Sequence, residues 1–290
     1  MRFSYAETFC DPTFLAPLAQ AAETAGYDSF VVPDSLIFPA QSDTRYPYTV
    51  DGDRAFLEDK PILEPFTLIP YLAARTERIR FTTFVLKLAV RPAVLVAKQA
   101  ASIAVLTDDR LRLGVGISPW PEDFAAMDVP WDGRGKRMDE ILDVLRGLTA
   151  GGWFEYHGEV LDVPRLKLCP TPARPIPLLV GGHADVALRR AARAGDGWIH
   201  AGGDPAQLGT MIERVRTLRA DYGRASDPFE IHAISLDAFS LDGVRRLEDL
   251  GVTDAIVGFR WPYTTEPDTQ PLAEKIDLLD RFADTVISHV

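Results

Sequence analysis

The chain has 290 residues, with 42 acidic and 31 basic side chains and a formal net charge of −11 at pH 7. This acidic balance argues against nucleic acid or an anionic membrane as a partner, since both require a basic surface. Hydrophobic residues make up 47% of the chain and charged residues 25%, which is typical of a soluble globular protein. The longest apolar runs are interrupted by Lys87, Arg91 and Lys98, so none is long enough to span a membrane.

The cysteine and histidine positions give no sign of a disulfide or a metal centre. Cys10 and Cys169 stand far apart and outside any CxxC motif. The histidines form no HExxH motif and no paired cluster, so we predict no metal. The N-terminus has no apolar run of the kind found in signal peptides, and we therefore expect a cytoplasmic protein.

Short β-like runs alternate with helical patterns along the chain, which indicates βα units and a parallel sheet. In chain order, the predicted strands cover residues 3–7, 30–33, 79–86, 112–116, 176–180, 197–200, 229–234 and 255–259. The predicted helices cover residues 13–25, 64–75, a segment after Pro92 that reaches 106, 135–149, 184–194, 205–222, 241–250 and 272–289.

Eight strand–helix pairs in a chain of this length favour a closed (β/α)8 TIM barrel over an open doubly wound sheet. We expect one domain over residues 1–290, with insertions after strand 2 (about 35–60) and before strand 5 (about 151–175). The second insertion should hold a hairpin around Gly158. In such barrels the chemistry lies at the C-terminal ends of the strands. That edge selects Glu7, Asp34, Lys87, Ile117, Ser118, Gly181, Gly182, residues 200–203, Leu236, Asp237 and Arg260.

Gly181, Gly182 and His183 form the clearest local signal. Two glycines between a strand and a helix allow the backbone to approach a ligand, and the helix start offers free N–H groups and a positive dipole end. This arrangement suits a phosphate group. A tight turn that needs positive φ explains the glycines equally well, and the residues alone leave both interpretations open.

Gly114 and Gly116 superficially suggest a dinucleotide-binding motif, but the third glycine of that motif would fall at Pro119. We therefore reject a Rossmann fingerprint. The glycines either thin the barrel wall where a flat ring lies against it or serve close packing.

The charged candidates each have two interpretations. Asp34 either handles a ligand hydroxyl or proton or caps the following loop. Glu7 shares a face with Tyr5, and a glutamate inside the barrel requires a partner. Lys87 and Arg260 either bind an anionic ligand or form ion pairs. These residues include no nucleophile–base pair, so on their own they name no reaction.

An ordered series of segments resembles the bacterial luciferase-like superfamily and, within it, the oxidoreductases that use the deazaflavin coenzyme F420. The segments are ETAGYDSFVVPD (23–34), RTERIRFTTFV (75–85), RPAVLVAKQ (91–99), DRLRLGVG (109–116), RGKRMDE (134–140), IPLLVGG (176–182) and RAARAGDGW (190–198). Their order and spacing match the family from about residue 1 to about residue 260.

The resemblance implies a TIM barrel, a homodimer, and a flavin or deazaflavin in the barrel mouth with its phosphate near Gly181 and Gly182. It implies an acidic residue, Asp34, near the ring, and a non-proline cis peptide at Phe84-Val85 against it. The implied cofactor-binding residues are Asp34, Phe84, Val85, Lys87, Ile117, Ser118, Gly181, Gly182 and His183.

Two positions depart from the family pattern. Many F420-dependent dehydrogenases follow the strand 2 aspartate with a catalytic histidine, where this chain has Ser35. A glutamate used by the sugar-phosphate dehydrogenases falls near Pro119. These departures argue against an alcohol or sugar-phosphate dehydrogenase, and leave Asp34, Glu7 or His183 as sources of any proton.

The leading hypothesis is therefore an F420-dependent oxidoreductase that transfers a hydride between the deazaflavin and a small organic substrate. Tyr46, Tyr48 and Trp120 would cover the substrate, and Arg260 would contact it. One alternative is an FMN-dependent luciferase-like monooxygenase with the same barrel. The other is a non-catalytic flavin- or deazaflavin-binding protein.

Overall fold

The computed structural model describes residues 1–7, 9–49, 51–203 and 205–290. Its strands are β1 (Arg2–Ala6), β2 (Ser29–Val32), β3 (Arg80–Thr83), β4 (Leu86–Lys87), β5 (Leu111–Gly116), β6 (Trp153–His157), β7 (Asp162–Lys167), β8 (Leu178–Gly181), β9 (Gly197–His200), β10 (Glu230–Ile234) and β11 (Asp254–Val257). Its helices are α1 (Leu15–Thr24), α2 (Pro65–Ala73), α3 (Ala93–Leu106), α4 (Pro121–Ala126), α5 (Arg134–Thr149), α6 (Asp185–Ala194), α7 (Pro205–Asp221), α8 (Leu241–Leu250) and α9 (Leu272–Thr285).

The main sheet is parallel and closes on itself. Its strands follow the order β3-β2-β1-β11-β10-β9-β8-β5, and β3 also pairs with β5, which completes the ring. Strand β4 continues the line of β3 along β5. The predicted (β/α)8 TIM barrel is therefore confirmed. In the described part of the chain, no helix combines the length and apolar character needed to cross a membrane.

Three elements differ from the sequence-based prediction. The strand predicted over residues 79–86 ends at Thr83 and resumes at Leu86, so it is two strands. Helix α4 was not predicted because six residues are too few to show a helical period. The last helix ends at Thr285 instead of residue 289, and a short 3-10 turn follows it.

Both predicted insertions are present. The second contains the antiparallel hairpin β6–β7, with Gly158 in its connection as predicted. Glu140 of α5 holds this turn, because its carboxylate accepts the main-chain N–H groups of residues 159–161 at 2.7–3.0 Å. Burial opposes the charged form, but these hydrogen bonds prevail and lower the pKa of Glu140.

The sheet separates two apolar layers, because successive side chains of a strand point to opposite faces. On the outer face, Phe3 packs edge-on against Phe282 of α9, with ring centroids 5.5 Å apart. Inside the barrel, a small buried cluster fills the middle of the interior; it consists of Val31, Leu179, Ile199 and Ile256.

Charged side chains fill the N-terminal end of the barrel, below that cluster: Arg2, Asp28, Arg80, Arg112, Glu230, His232 and Asp254. Asp28 binds both Arg80 and Arg112 at 2.6 Å. Glu230 lies 2.9 Å from Arg2 and 2.7 Å from the ring of His232. Burial opposes the charged form of Glu230, but the hydrogen bond with His232 and the nearby arginines lower its pKa to about 2. The network thus joins β1, β3, β5, β10 and β11.

We expect Glu230→Gln to lower the free energy of unfolding by about 3 kcal/mol at neutral pH, because Arg2 and Arg112 lose the carboxylate that they share. Arg112 then keeps Asp28, and Arg2 keeps Asp254 at 3.6 Å. Since the folded pKa is about 2, below the ordinary value of 4.5, the Glu230 contribution is complete above that ordinary value. It is lost as the pH falls toward 2, so the two proteins should converge in acid. Denaturant unfolding at several pH values measures both effects.

Glu213→Gln is the matched control, since Glu213 forms an exposed pair with Arg216 on α7. Its effect should stay below about 0.5 kcal/mol. If Glu230→Gln is no less stable than this control, the network does not hold the barrel together.

Candidate active site

The C-terminal mouth of the barrel has an uncharged floor. Ala6, Phe84, Val85 and Ile234 pack on the buried interior cluster and remain partly exposed. These residues come from the ends of β1 and β10 and from the connection between β3 and β4. A flat aromatic ring could lie on this surface without burying a charge.

The connection between β3 and β4 contains the cis peptide Phe84-Val85, as the family resemblance implied. Val85 lies against two strands that end in glycine. A Cβ atom added to Gly116 would stand 2.7 Å from the Val85 side chain, and one added to Gly181 would stand 2.8 Å from it. The two glycines therefore make room for Val85, which explains why Gly116 is glycine without a dinucleotide motif.

The diglycine turn has features of both interpretations, a tight turn with positive φ and a phosphate site. Gly182 has a φ of 122°, a conformation that favours glycine, and its carbonyl accepts the Trp198 indole N–H at 2.9 Å. Helix α6 then begins without any side-chain cap. The Ala187 N–H donates to the Ala184 carbonyl at 2.8 Å, whereas the N–H groups of Asp185 and Val186 have no partner among the described residues and remain available to an anion. Asp185 in that turn is paired with Arg189 and Arg214, at 2.5 and 2.8 Å.

His183, directly after the turn, stacks on His200, the last residue of β9. Their ring centroids are 4.6 Å apart and their planes differ by 14°. The main-chain N–H of Ala201 donates to Nε2 of His183 at 3.0 Å. Burial lowers the pKa of His183, and burial together with His183 lowers the pKa of His200 to about 4. Both rings are therefore neutral near pH 7.

An aromatic cluster from the first insertion and from the loops after β5 and β11 covers this edge. Tyr46 stacks on Trp120 at 5.5 Å with an interplanar angle of 15°, and Tyr48 meets the ring of His183 edge-on at 5.2 Å. Tyr263, from the loop after β11, also contacts Tyr46. The structure thus brings together the three residues predicted to cover the substrate.

Asp34 is buried and does not face the mouth as a free carboxylate. It accepts the main-chain N–H of Lys87 at 2.8 Å and binds Arg91 at 3.0 and 3.1 Å. Burial raises the pKa of Asp34, while Arg91 and the Lys87 N–H favour the carboxylate. Because Asp34 binds the main-chain N–H of Lys87, two residues after Val85, it positions the floor of the mouth.

Lys87 is buried and bound within the protein. Its ammonium lies 2.7 Å from Asp123 of α4, and the same carboxylate accepts the Ser118 hydroxyl. Of the two alternatives for Lys87, the ion pair is the one observed. Ile117 is half-buried against the outer core. Ser118 is buried, and its hydroxyl oxygen accepts the main-chain N–H of Trp120 at 3.1 Å.

Glu7 does not lie inside the barrel as expected. Tyr5 and Glu7 point to the outer layer, where Tyr5 packs against Tyr27 and donates to Glu7 at 2.7 Å. Lys275 of α9 lies 3.2 Å from the Glu7 carboxylate. Burial raises the pKa of Glu7 despite both partners. The face it shares with Tyr5 is therefore the helix-packing face, and its catalytic role remains a prediction.

Arg260 binds its own loop, where it donates to the Glu266 carbonyl at 3.1 Å. A cavity of about 450 Å³ opens beside it, between the loops after β1 and β11 and the end of the first insertion. Lys60 bounds this cavity and donates to the carbonyls of Thr265 and Glu266. This cavity lies among the loops of the C-terminal edge, and its described lining includes no residue of the floor.

Sequence reasoning missed several residues that organise the mouth. Arg91 and Asp123 were not candidates, because their contacts join segments that are distant in the chain. Their partners Lys87 and Asp34 were candidates, both as strand ends and through the family resemblance, but the ion pairs that they form were not predicted. His200 was selected as a strand end but given no role, and its stacking on His183 has no signal in the sequence.

Comparison with known proteins agrees with the family resemblance. The family model for luciferase-like monooxygenases matches residues 4–242. An uncharacterized protein of Mycobacterium tuberculosis is 59% identical over 290 residues, 100% of both chains. An F420-dependent glucose-6-phosphate dehydrogenase of Nakamurella multipartita is 28% identical over 266 residues, covering 86% of this chain and 71% of the relative.

A solved structure shows the same fold. Monooxygenase RslO1 from Streptomyces bottropensis superimposes with a TM-score of 0.76 at 17% sequence identity, over 100% of this chain and 99% of that one. The match of the family model to residues 4–242 and the closed barrel lead to the same conclusion. The chain belongs to the luciferase-like monooxygenase family.

Proposed function

We propose that this protein is an F420-dependent oxidoreductase that transfers a hydride between the deazaflavin and a small organic substrate. The observation that carries the proposal is the uncharged floor, where Val85 lies against Gly116 and Gly181. Sequence similarity to an F420-dependent dehydrogenase supports it.

The residues at the mouth fit such a group in two ways. The floor offers partly exposed apolar side chains to a planar ring, with Phe84 and Val85 at its centre. The uncapped start of α6, next to Gly181 and Gly182, offers N–H groups to a phosphate. When bound, the deazaflavin supplies hydride chemistry, and the protein supplies position and environment.

The other residues of the mouth either support the floor or cover the substrate. Asp34 holds the backbone after Val85 in place, so it acts as a positioning residue. Tyr46, Tyr48 and Trp120 would exclude water from the substrate. Ser35 and Pro119 stand where alcohol and sugar-phosphate dehydrogenases of the family carry reactive side chains, so we expect neither substrate class.

An FMN-dependent monooxygenase is the second candidate, favoured by the family description and by the fold shared with RslO1. Titrating the purified protein with F420 and with FMN separates the two, with fluorescence quenching as the readout. We expect saturable binding of F420 that is tighter than binding of FMN. Tighter binding of FMN would favour the second candidate, and binding of neither would contradict both.

Replacing Gly181 should weaken cofactor binding. A valine side chain at this position would overlap Val85, whose Cγ1 atom lies 2.8 Å from an added Cβ, and would raise the floor of the mouth. We expect Gly181→Val to reduce F420 affinity at least about tenfold, equivalent to about 1.4 kcal/mol. Gly209→Ala is the control, since its Cβ would meet Leu250 at an ordinary 3.5 Å. Unchanged affinity in Gly181→Val would show that the cofactor lies elsewhere.

Replacing Asp34 should affect stability and binding together. In Asp34→Asn, the buried guanidinium of Arg91 loses one of its two carboxylate partners among the described residues and keeps Glu64, so the free energy of unfolding should fall by about 3 kcal/mol. F420 affinity should also fall, because the single acceptor oxygen of asparagine cannot replace both carboxylate oxygens that bind the Lys87 N–H and Arg91. Denaturant unfolding and fluorescence titration measure the two effects. Asp242→Asn, on an exposed pair with Arg245, is the control, and equal behaviour of the two variants would contradict this role.

A further inference from the structure

The stacked histidines at the rim have no role in the function proposed above. His183 is half-buried between two rings, with His200 stacked against it and Tyr48 packed edge-on. It directly follows the diglycine turn and precedes the uncapped start of α6. His183 thus lies where we expect the phosphate of the cofactor.

The backbone fixes the tautomer of His183. The main-chain N–H of Ala201 donates to Nε2 at 3.0 Å. An amide N–H can only donate, so Nε2 must carry a lone pair. In the neutral ring the hydrogen is therefore on Nδ1. Among the described residues, Nδ1 has no hydrogen-bond partner, so this donor is available to a ligand.

The surroundings also keep the ring neutral. A charged imidazolium would need a second hydrogen on Nε2, directly facing the Ala201 N–H. Among the described residues, the titratable groups in contact with His183 are His200 and Tyr48, and neither contributes a negative charge at neutral pH. The nearby carboxylate of Asp185 is bound to Arg189 and Arg214. Burial lowers the pKa of His183 and so also favours the neutral ring.

We infer that His183 is a neutral hydrogen-bond donor whose Nδ1–H binds a phosphate oxygen of the cofactor at the Gly181-Gly182 turn. This inference rests on the proposed function and adds a recognition residue to it. His183 and the N–H groups at the start of α6 would then bind the phosphate oxygens through hydrogen bonds, with no positive charge on the histidine. Its contribution therefore does not depend on pH in the range where free histidine titrates.

The first test compares F420 with its phosphate-free deazaflavin riboside by fluorescence quenching. In His183→Phe, which keeps a ring for stacking but has no donor, F420 affinity should fall about tenfold, the effect of one hydrogen bond to a charged group. His183→Asn restores an N–H donor and should recover most of the affinity. The riboside should bind equally to all variants. His157→Phe, on the exposed hairpin, is the control and should match the wild type.

The second test needs no cofactor. ¹⁵N NMR of labelled histidine, with His183 assigned from the spectrum of His183→Phe, should show the Nδ1–H tautomer in the free protein at pH 7. A third test measures the ratio of F420 to riboside affinity, which should stay constant between about pH 6 and 8, a range that includes the ordinary histidine pKa.

Three results would overturn the inference: an Nε2–H tautomer, an affinity ratio that falls as the pH rises through this range, or an equal loss of riboside binding in His183→Phe. Failure of the wild type to bind F420 would instead contradict the proposed function. The tautomer of the free protein is measured independently of that outcome.

Discussion

The ion network at the N-terminal end of the barrel is the constraint on which the rest of the structure depends. Eight strands enclose an interior that must be filled, and buried charges are tolerated only when they are paired. Asp28 and Glu230 each hold two cationic partners, and Asp254 lies beside Arg2 and His232. Three pairs of the network, Arg2–Glu230, Asp28–Arg112 and Arg112–Glu230, cross between strands that are not neighbours in the sheet. They therefore favour one register around the ring and close it at the end farthest from the mouth.

With its charges concentrated at that end, the barrel becomes apolar toward the other. The interior passes from the ion network through the cluster around Val31 and Ile199 to the floor at Val85. Near the mouth, charged groups lie behind the floor. Asp34 is bound to Arg91, and Lys87 to Asp123. Both pairs hold the segment that follows the cis peptide, since Lys87 and Arg91 lie C-terminal to it, and the surface left exposed is uncharged.

Features formed by residues close together in the chain could be predicted, and those formed by distant residues could not. The helix and strand patterns depend on near neighbours, so β1, β5 and α6 were predicted to within a few residues. Glu7 was wrongly expected inside the barrel, because alternation along a strand gives two faces but does not say which one meets the helices. Lys87 was correctly located at a strand end, but its partner Asp123 belongs to a short helix that was not predicted.

The sequence by itself determined the order of the βα units, the barrel, the two insertions and the family to which the chain belongs. These features depend on periodicity, on glycine and proline positions, and on ordered motifs, all of which are local in the chain. Only the tertiary structure decided which side chains are free and which are bound. The pairing of Asp34 with Arg91, the stacking of His183 on His200 and the contact of Tyr48 with that pair all join distant segments. Such contacts arise from barrel closure, which brings strand ends together irrespective of their separation in sequence.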